Sequence, residues 1–295
     1  MSEHDIAKTL NLQSAFSQLS ADQRPIPAQL PPDERLALRK LPFDQAHNFR
    51  DLGGYLSDDG RYTRWGRIYR TDKLSALSEQ DQRYLQRLGV RRIVDFRSDE
   101  ERSTAPHSLH PESQILIDPL PITVEAAQIE RVTARLQQQN VCAEDMVEFL
   151  MSANRAMVTH FTDTYRHWIH SLLSADHYPQ IFHCTAGKDR TGLAAALLLR
   201  VLGVPQDTVM DDYLATNHYT AARIDELIRQ IQEMDMFTVE ESVIRTLFNV
   251  QPQYINAAFE VITERYGDLE DYFRDGLALT PFQREQLCEM LLEEL

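Results

Sequence analysis

Residues 182 to 192 read FHCTAGKDRTG, with an apolar run before them and LAAALLL directly after. A thiol, an ammonium, a carboxyl and a guanidinium share this one short stretch. A turn leading from a buried strand into a helix gathers several backbone N–H groups, and the positive end of the helix dipole, into an anion-binding hollow. Arg190 at the far rim can hold two phosphate oxygens with its planar fork, which a lysine cannot do. The same positive surroundings favour a thiolate, and cysteines so placed fall from about 8.5 to roughly 3.5–7.5 in pKa. Thr185, Ala186, Gly187, Lys188, Asp189 and Arg190 are therefore expected to cradle a phosphate in line with Cys184, the nucleophile. Gly187 lets the backbone bend close to the anion. Thr191 can hydrogen-bond the sulfur and ease its departure from the thiophosphate, and His183 can orient the loop through its ring nitrogens. A lone cysteine in a strand-to-helix turn would read as a core thiol. The full spacing Cys-x5-Arg-Thr-Gly, with histidine and a strand before it, points to catalysis instead.

Expelling an alkoxide or phenoxide requires a proton donor. Asp189 lies within the loop, where a bound phosphate dianion would favour its protonated form. Asp95 lies near the end of an expected strand and could face the same site, or pair in the core with Arg50 or Arg97. Upstream, NFRDLGGY places Asn48, Arg50 and Asp51 before a Gly53-Gly54 turn, where they line or brace the pocket. Lys188 either offers a mobile cation to a second phosphate, such as an inositol ring carries, or pairs with an acidic neighbour. His160, His167 and His170 with Asp163 have a spacing that could hold a metal, but a polar helix face accounts for them. Cys142 and Cys288 fall in helical patterns as inert thiols.

HCTAGKDRTG resembles the signature of cysteine-dependent protein tyrosine phosphatases. Together with NFRDLGGY (48–55), YRTDKLSALSEQD (69–81), IVDFRSDEER (93–102) and YGDLEDYFRDGLALT (266–280), it makes roughly residues 36–280 similar to the bacterial atypical tyrosine/serine phosphatases. That resemblance implies a metal-free and cofactor-free hydrolysis of phosphotyrosine, in some members also of phosphoserine/threonine and phosphoinositides. By motif position it implies Cys184 as nucleophile, Arg190 as phosphate clamp and Lys188-Asp189 as the pair before the arginine, and it favours Asp189 as the acid. Two other readings compete: a non-catalytic phosphate-ester binding module, which would not need Cys184 and Arg190 together, and another Cys-loop enzyme such as an arsenate reductase or a sulfurtransferase. Arsenate reduction would call for resolving cysteines near the loop, and the local sequence has none.

The elements around these residues alternate. RIYR, RRIVDFRS, ESQILIDPLP and YPQIFHC read as strands, and LALRKLPF as a further strand. LSEQDQRYLQRLGV, the stretch from about 143 to 173, and RTGLAAALLLRVLG read as helices. Strands separated by helices, with chemistry at a strand-to-helix turn, predict an α/β fold: a parallel central sheet flanked by helices, with the site at the strands' carboxyl ends. After Gly203 the pattern is helical to the end. Residues 1–33 read as a partly flexible arm and 34–295 as the phosphatase domain, with its α/β core running to about 216 and a helical part over 217–295. The acidic face of DELIRQIQEMDM is expected to be solvated.

The chain has 295 residues and a formal net charge of −15, which disfavours nucleic acid and anionic membranes as bulk partners. A phosphorylated protein or phosphoinositide is the expected partner. No run approaches the roughly 18 apolar residues of a membrane span. The N-terminus lacks a signal-peptide pattern, so cytoplasm is the default compartment, with export by a specialised route left open. Three widely spaced cysteines form no disulfide framework.

Overall fold

The computed structural model describes residues 16, 19–123, 141–233 and 240–294. The first part of the expected N-terminal arm and the end of DELIRQIQEMDM lie outside the described residues.

The central sheet has five strands in the order β1-β3-β6-β4-β5. These are β1 (Arg50–Asp51), β3 (Ile68–Thr71), β4 (Arg92–Asp95), β5 (Leu116–Pro119) and β6 (Gln180–His183). Four of them, β3, β6, β4 and β5, run parallel, while β1 joins the edge antiparallel to β3. Side chains alternate across the sheet as a two-residue period requires. Ile68, Val94 and Phe182 enter a large core on one face, whereas Tyr69, Ile93 and Ile181 enter a smaller core on the other.

The large core is built by α3 (Ala143–Ser171), α4 (Arg190–Val201), α5 (Gln206–Glu233), α7 (Pro252–Tyr266) and α8 (Pro281–Leu291), with α6 (Glu241–Phe248) packed against α3. Helix α4 is buried almost all round, which explains its nearly uninterrupted apolar sequence. On the opposite face, α1 (Glu79–Arg87) starts at a Ser78 capping box and closes the smaller core with Tyr84 and Leu85. A short α2 (Asp99–Thr104) follows β4. No described helix is long and apolar enough to cross a membrane.

Two local readings differ from the structure. LALRKLPF is not a strand: Pro32–Arg35 makes a helical turn, Leu36–Leu38 a 3-10 turn, and only Lys40 bridges to Arg50. Proline at the first helical position, followed by acidic residues, starts the turn that weak alternation concealed. The chain after Gly203 is not helical to its end, because Leu292–Glu293 form β7 and pair antiparallel with β2 (Tyr62–Thr63). Of the expected arm, the part from residue 19 onward touches the core. Arg24 is 1% exposed and ion-pairs with Asp81 and Asp44, while Ala21 and Ile26 pack into the smaller core.

Strand register levels the functional end of the sheet. Thr71 on β3 and Asp95 on β4 both stand opposite His183, the last residue of β6. The loop from Cys184 to Asp189 thus leaves the middle strand at the carboxyl edge of the parallel sheet and enters α4 at once.

Candidate active site

The loop's shape follows from what holds its carbonyls. His183 Nδ1 is 2.9 Å from the Cys184 carbonyl oxygen, and the Lys73 N–H donates to the Thr185 carbonyl at 3.0 Å. Asn48 Nδ2 reaches the carbonyls of Ala186 at 3.4 Å and Gly187 at 3.0 Å, and Arg70 Nη2 also donates to Gly187 at 2.9 Å. In a trans peptide the C=O and the following N–H point to opposite sides. Four consecutive carbonyls held from behind therefore turn the N–H groups of Thr185, Ala186, Gly187 and Lys188 toward the front. None of these four donors has a hydrogen bond among the described residues. Such a row of free backbone N–H groups is the form that an anion nest takes.

Gly187 is required at its place. Its φ is +67°, and a Cβ there would lie 2.5 Å from the Thr71 carbonyl oxygen. Helix α4 begins at Arg190, so its dipole adds to the nest.

Cys184 is 2% exposed, at the base of the loop. Arg190 is gripped along one edge: Nη1 and Nη2 donate to the two Glu101 carboxylate oxygens at 2.7 and 2.8 Å, and Nη1 also reaches the Ile122 carbonyl at 3.2 Å. Its Nε–H has no hydrogen bond among the described residues, which leaves Nε and the second Nη2 hydrogen as a fork for an anion. Thr185 Oγ1 donates to Glu101 as well. Burial would raise the Glu101 carboxyl, but the bonds from Arg190 and Thr185 outweigh it and hold the group at about 2. For Arg190 burial alone would lower the pKa; Glu101 and the neighbouring Cys184 instead push it above its ordinary value.

The tyrosine phosphatase family pattern matches residues 41–293 of the sequence. The chain belongs to that family. Among family relatives, the triple specificity protein phosphatase PtpB of Mycobacterium tuberculosis is 32% identical over 269 residues, covering 82% of this chain and 94% of PtpB. A Cupriavidus necator protein assigned to the tyrosine-protein phosphatases is 30% identical over 237 residues, covering 80% of this chain and 84% of its own. Of solved structures, TpbA of Pseudomonas aeruginosa is 16% identical with a TM-score of 0.29, covering 67% of this chain and 96% of TpbA.

The two candidate acids stand in different surroundings. Asp95 is fully buried, and its carboxylate accepts the Arg97 backbone N–H at 3.0 Å and the Arg97 guanidinium at 2.8–3.1 Å. Burial would raise its pKa, but Arg97 and His183 outweigh that and hold it below the usual carboxylate range. Arg97 is one of the two core partners expected for it; the other, Arg50, is elsewhere. Asp189 instead sits on the loop, at the start of α4. Its Oδ2 is 3.1 Å from Lys188 Nζ, and its buried Oδ1 has no hydrogen-bond partner among the described residues.

Lys188 is not a mobile rim cation. It is 6% exposed, pairs with Asp189 and donates to the Asn249 carbonyl at 3.3 Å, above the Tyr254 ring. Thr191 Oγ1 is buried without a partner among the described residues, so it remains available to the sulfur or to an anion.

Asn48 and Arg50 brace the loop from behind. Arg50 Nη1 donates to the Asn48 side-chain oxygen, which turns the Asn48 amide nitrogen onto the loop carbonyls. Asp51 lies further back, where its two oxygens accept the N–H groups of Gly53 and Gly66 at 2.8 Å each. Burial pushes its carboxyl up to about 7, against those two bonds.

His183 is fully buried, and burial lowers it to about 4, against Asp95. Neutral, with its Nδ1–H on the Cys184 carbonyl, it must accept at Nε2, where His107 Nε2 lies 2.9 Å away. Asp95, His107 and His183 bring potential ligand atoms within 4.8 Å of one another, yet the Arg97 guanidinium already holds both Asp95 oxygens and opposes a second cation. On α3, Asp163 pairs with Arg166 and His170 contacts the Leu277 carbonyl.

Sequence reasoning missed Glu101, Arg70, Asp212 and His107. Glu101 had a readable signal. Ser98-x-x-Glu101 is a capping box directly after β4, so its carboxylate starts a helix beside the central strand. The other three act through long-range contacts that no local pattern marks.

Proposed function

We propose that this chain hydrolyses phosphotyrosine through a cysteinyl-phosphate intermediate, with Cys184, Arg190 and Asp189 in the chemical roles. The observation that carries the reading is the set of four carbonyls held from behind, which leaves four N–H donors free on the loop that runs from Cys184 to Arg190. The Cys184 thiolate attacks phosphorus and the P–O bond to the leaving group breaks. Asp189 gives its proton to the departing oxygen. Water then attacks the cysteinyl phosphate with Asp189 taking its proton, and the S–P bond breaks to return the thiolate and release inorganic phosphate. The four N–H groups and Arg190 face the oxygens on which charge gathers in both steps. Asp189 is favoured over Asp95 by its place on the loop and its unpartnered oxygen, whereas Asp95 is committed to Arg97.

Esters beyond phosphotyrosine, among them phosphoserine/threonine and phosphoinositides, belong to the same proposal. Its support is the triple specificity named for PtpB, a relative along most of its length. Lys188 supports it less, being spoken for by Asp189 and Asn249. Cytoplasm is the proposed compartment, on the sparse cysteine usage.

The deciding experiment compares Cys184→Ser and Asp189→Asn with wild type on aryl phosphates of graded leaving-group pKa, with and without a chelator. Expected are no turnover for Cys184→Ser and, for Asp189→Asn, a loss that grows as the leaving oxygen becomes more basic. Turnover by Cys184→Ser, or an equal loss across the series, would refute the respective role. Wild-type rates on phosphopeptides and phosphoinositides then settle the breadth of substrates.

A further inference from the structure

Asp212 lies on α5, distant in sequence from the phosphate loop, and is 3% exposed. Its Oδ1 accepts Arg50 Nε at 2.9 Å and the Tyr55 hydroxyl at 2.8 Å, and its Oδ2 accepts Arg70 Nη1 at 2.6 Å. Its backbone carbonyl takes Arg50 Nη2 at 2.9 Å. Burial would raise this carboxyl, but Arg50 and Arg70 hold it far below the usual range, so it is ionised at any working pH.

Both arginines pass the constraint on to one atom. Arg70, fixed at Nη1 by Asp212, puts Nη2 on the Gly187 carbonyl. Arg50, fixed at Nε, puts Nη1 on Asn48 Oδ1, and a primary amide so held must turn its NH2 the other way, which is onto Gly187. Two independent arms therefore run from one carboxylate to one loop carbonyl. That carbonyl and the Lys188 N–H are the two edges of a single peptide plane.

We propose that Asp212 is a positioning residue of the phosphate site, setting the Gly187–Lys188 peptide so that the Lys188 N–H faces the anion. The proposal rests on reading the loop as the phosphate site. Stability alone is a poor account of such a cluster, since a buried ion pair often contributes no more than apolar packing of the same volume. Here one carboxylate takes two guanidinium groups and a hydroxyl, and both guanidinium groups lead to the same peptide. Without the negative charge, two arginines buried side by side would repel, and both Asn48 and Arg70 would lose their orientation.

Asp212→Asn tests it, with three measurements: tungstate binding by calorimetry, kcat/KM on para-nitrophenyl phosphate, and near-UV circular dichroism with Tm. The expected result is a folded protein whose tungstate affinity and kcat/KM both fall by roughly tenfold or more, about 1.4 kcal/mol. A lower Tm with both values within about twofold of wild type would make Asp212 a structural residue and overturn the proposal. Should the variant fail to fold, Arg70→Lys decides. It keeps the cation beside Asp212, but one ammonium cannot serve the carboxylate and the Gly187 carbonyl together. The same roughly tenfold loss is expected there, and unchanged tungstate binding overturns the proposal. A wild type that binds tungstate without turnover would sink the phosphatase reading alone, and the tungstate comparison would still decide the role of Asp212.

Discussion

Replacing Glu101 with glutamine separates two ways in which a carboxylate beside Arg190 can act. Glu101 accepts both Nη1 and Nη2 on the edge away from the free Nε–H, so the geometry makes it a brace that aims the fork. Glutamine keeps the shape but offers one acceptor oxygen, and its NH2 group must face a donor. One charge-assisted bond is lost, and such a bond contributes about 1.5–3 kcal/mol. If that loss appears wholly in the transition state, kcat/KM on a phosphotyrosine peptide falls by roughly 10- to 150-fold. The decrease should fall largely on kcat, because a misaimed fork supports in-line transfer less than it supports simple docking. A stability readout accompanies it. The Glu101 carboxyl is held at about 2 from an ordinary 4.5, so its contribution is fully present above about 4.5 and is lost as pH falls through about 2. The Tm difference between wild type and E101Q should therefore shrink over that window. With Glu101 31% exposed, solvent screening keeps this effect well short of the full linkage value. An unchanged kcat/KM would refute the bracing argument. A lower KM with kcat intact would show instead that Glu101 occupies the place of the substrate phosphate.

Two more outcomes follow from the loop. Gly187→Ala should lower kcat/KM by roughly a hundredfold or more while the protein still folds, because its Cβ would lie 2.5 Å from the Thr71 carbonyl and force the loop out of place; near-wild-type kinetics would mean that the loop closes differently. Hydrogen peroxide should inactivate the enzyme reversibly by forming a sulfenic acid at Cys184, with bound phosphate giving protection. Mass spectrometry that finds the oxidation first at exposed Cys142 would contradict this.

The parts of the site that could be read in the sequence are local ones. FHCTAGKDRTG carries the strand, the turn, the glycine and the helix start in one continuous stretch, because the anion nest is itself a local backbone conformation. The alternation of RIYR, RRIVD and YPQIFHC is likewise local, and it was enough to place the loop at the carboxyl ends of parallel strands. What the sequence does not show is which residues hold that loop from behind. Asp212 lies 162 positions from Arg50 and 142 from Arg70, and nothing about an aspartate in a helical pattern tells a buried keystone from a solvated one. Asp95 illustrates the same limit: a carboxylate at a strand's end can face a pocket or a neighbouring arginine, and tertiary placement of Arg97 decides between them. Before and within LALRKLPF, proline-started and 3-10 turns replace a strand, and at the chain's end Leu292–Glu293 pair with Tyr62–Thr63 in place of a helix.

The bonds that hold the loop's carbonyls attach to its rear, on His183, Lys73, Asn48 and Arg70, and leave the backbone N–H groups to the front beside the Arg190 fork. Under the proposed function, such a socket would grip the phosphoryl group and nothing of the molecule that bears it. Preference among substrates then has to come from residues outside the loop. For protein engineering this makes the molecule modular. Residues outside the loop can then be varied for preference while its carbonyls stay held as they are. A change to the rear scaffold, at Asn48 or Arg70, would then be felt with every substrate.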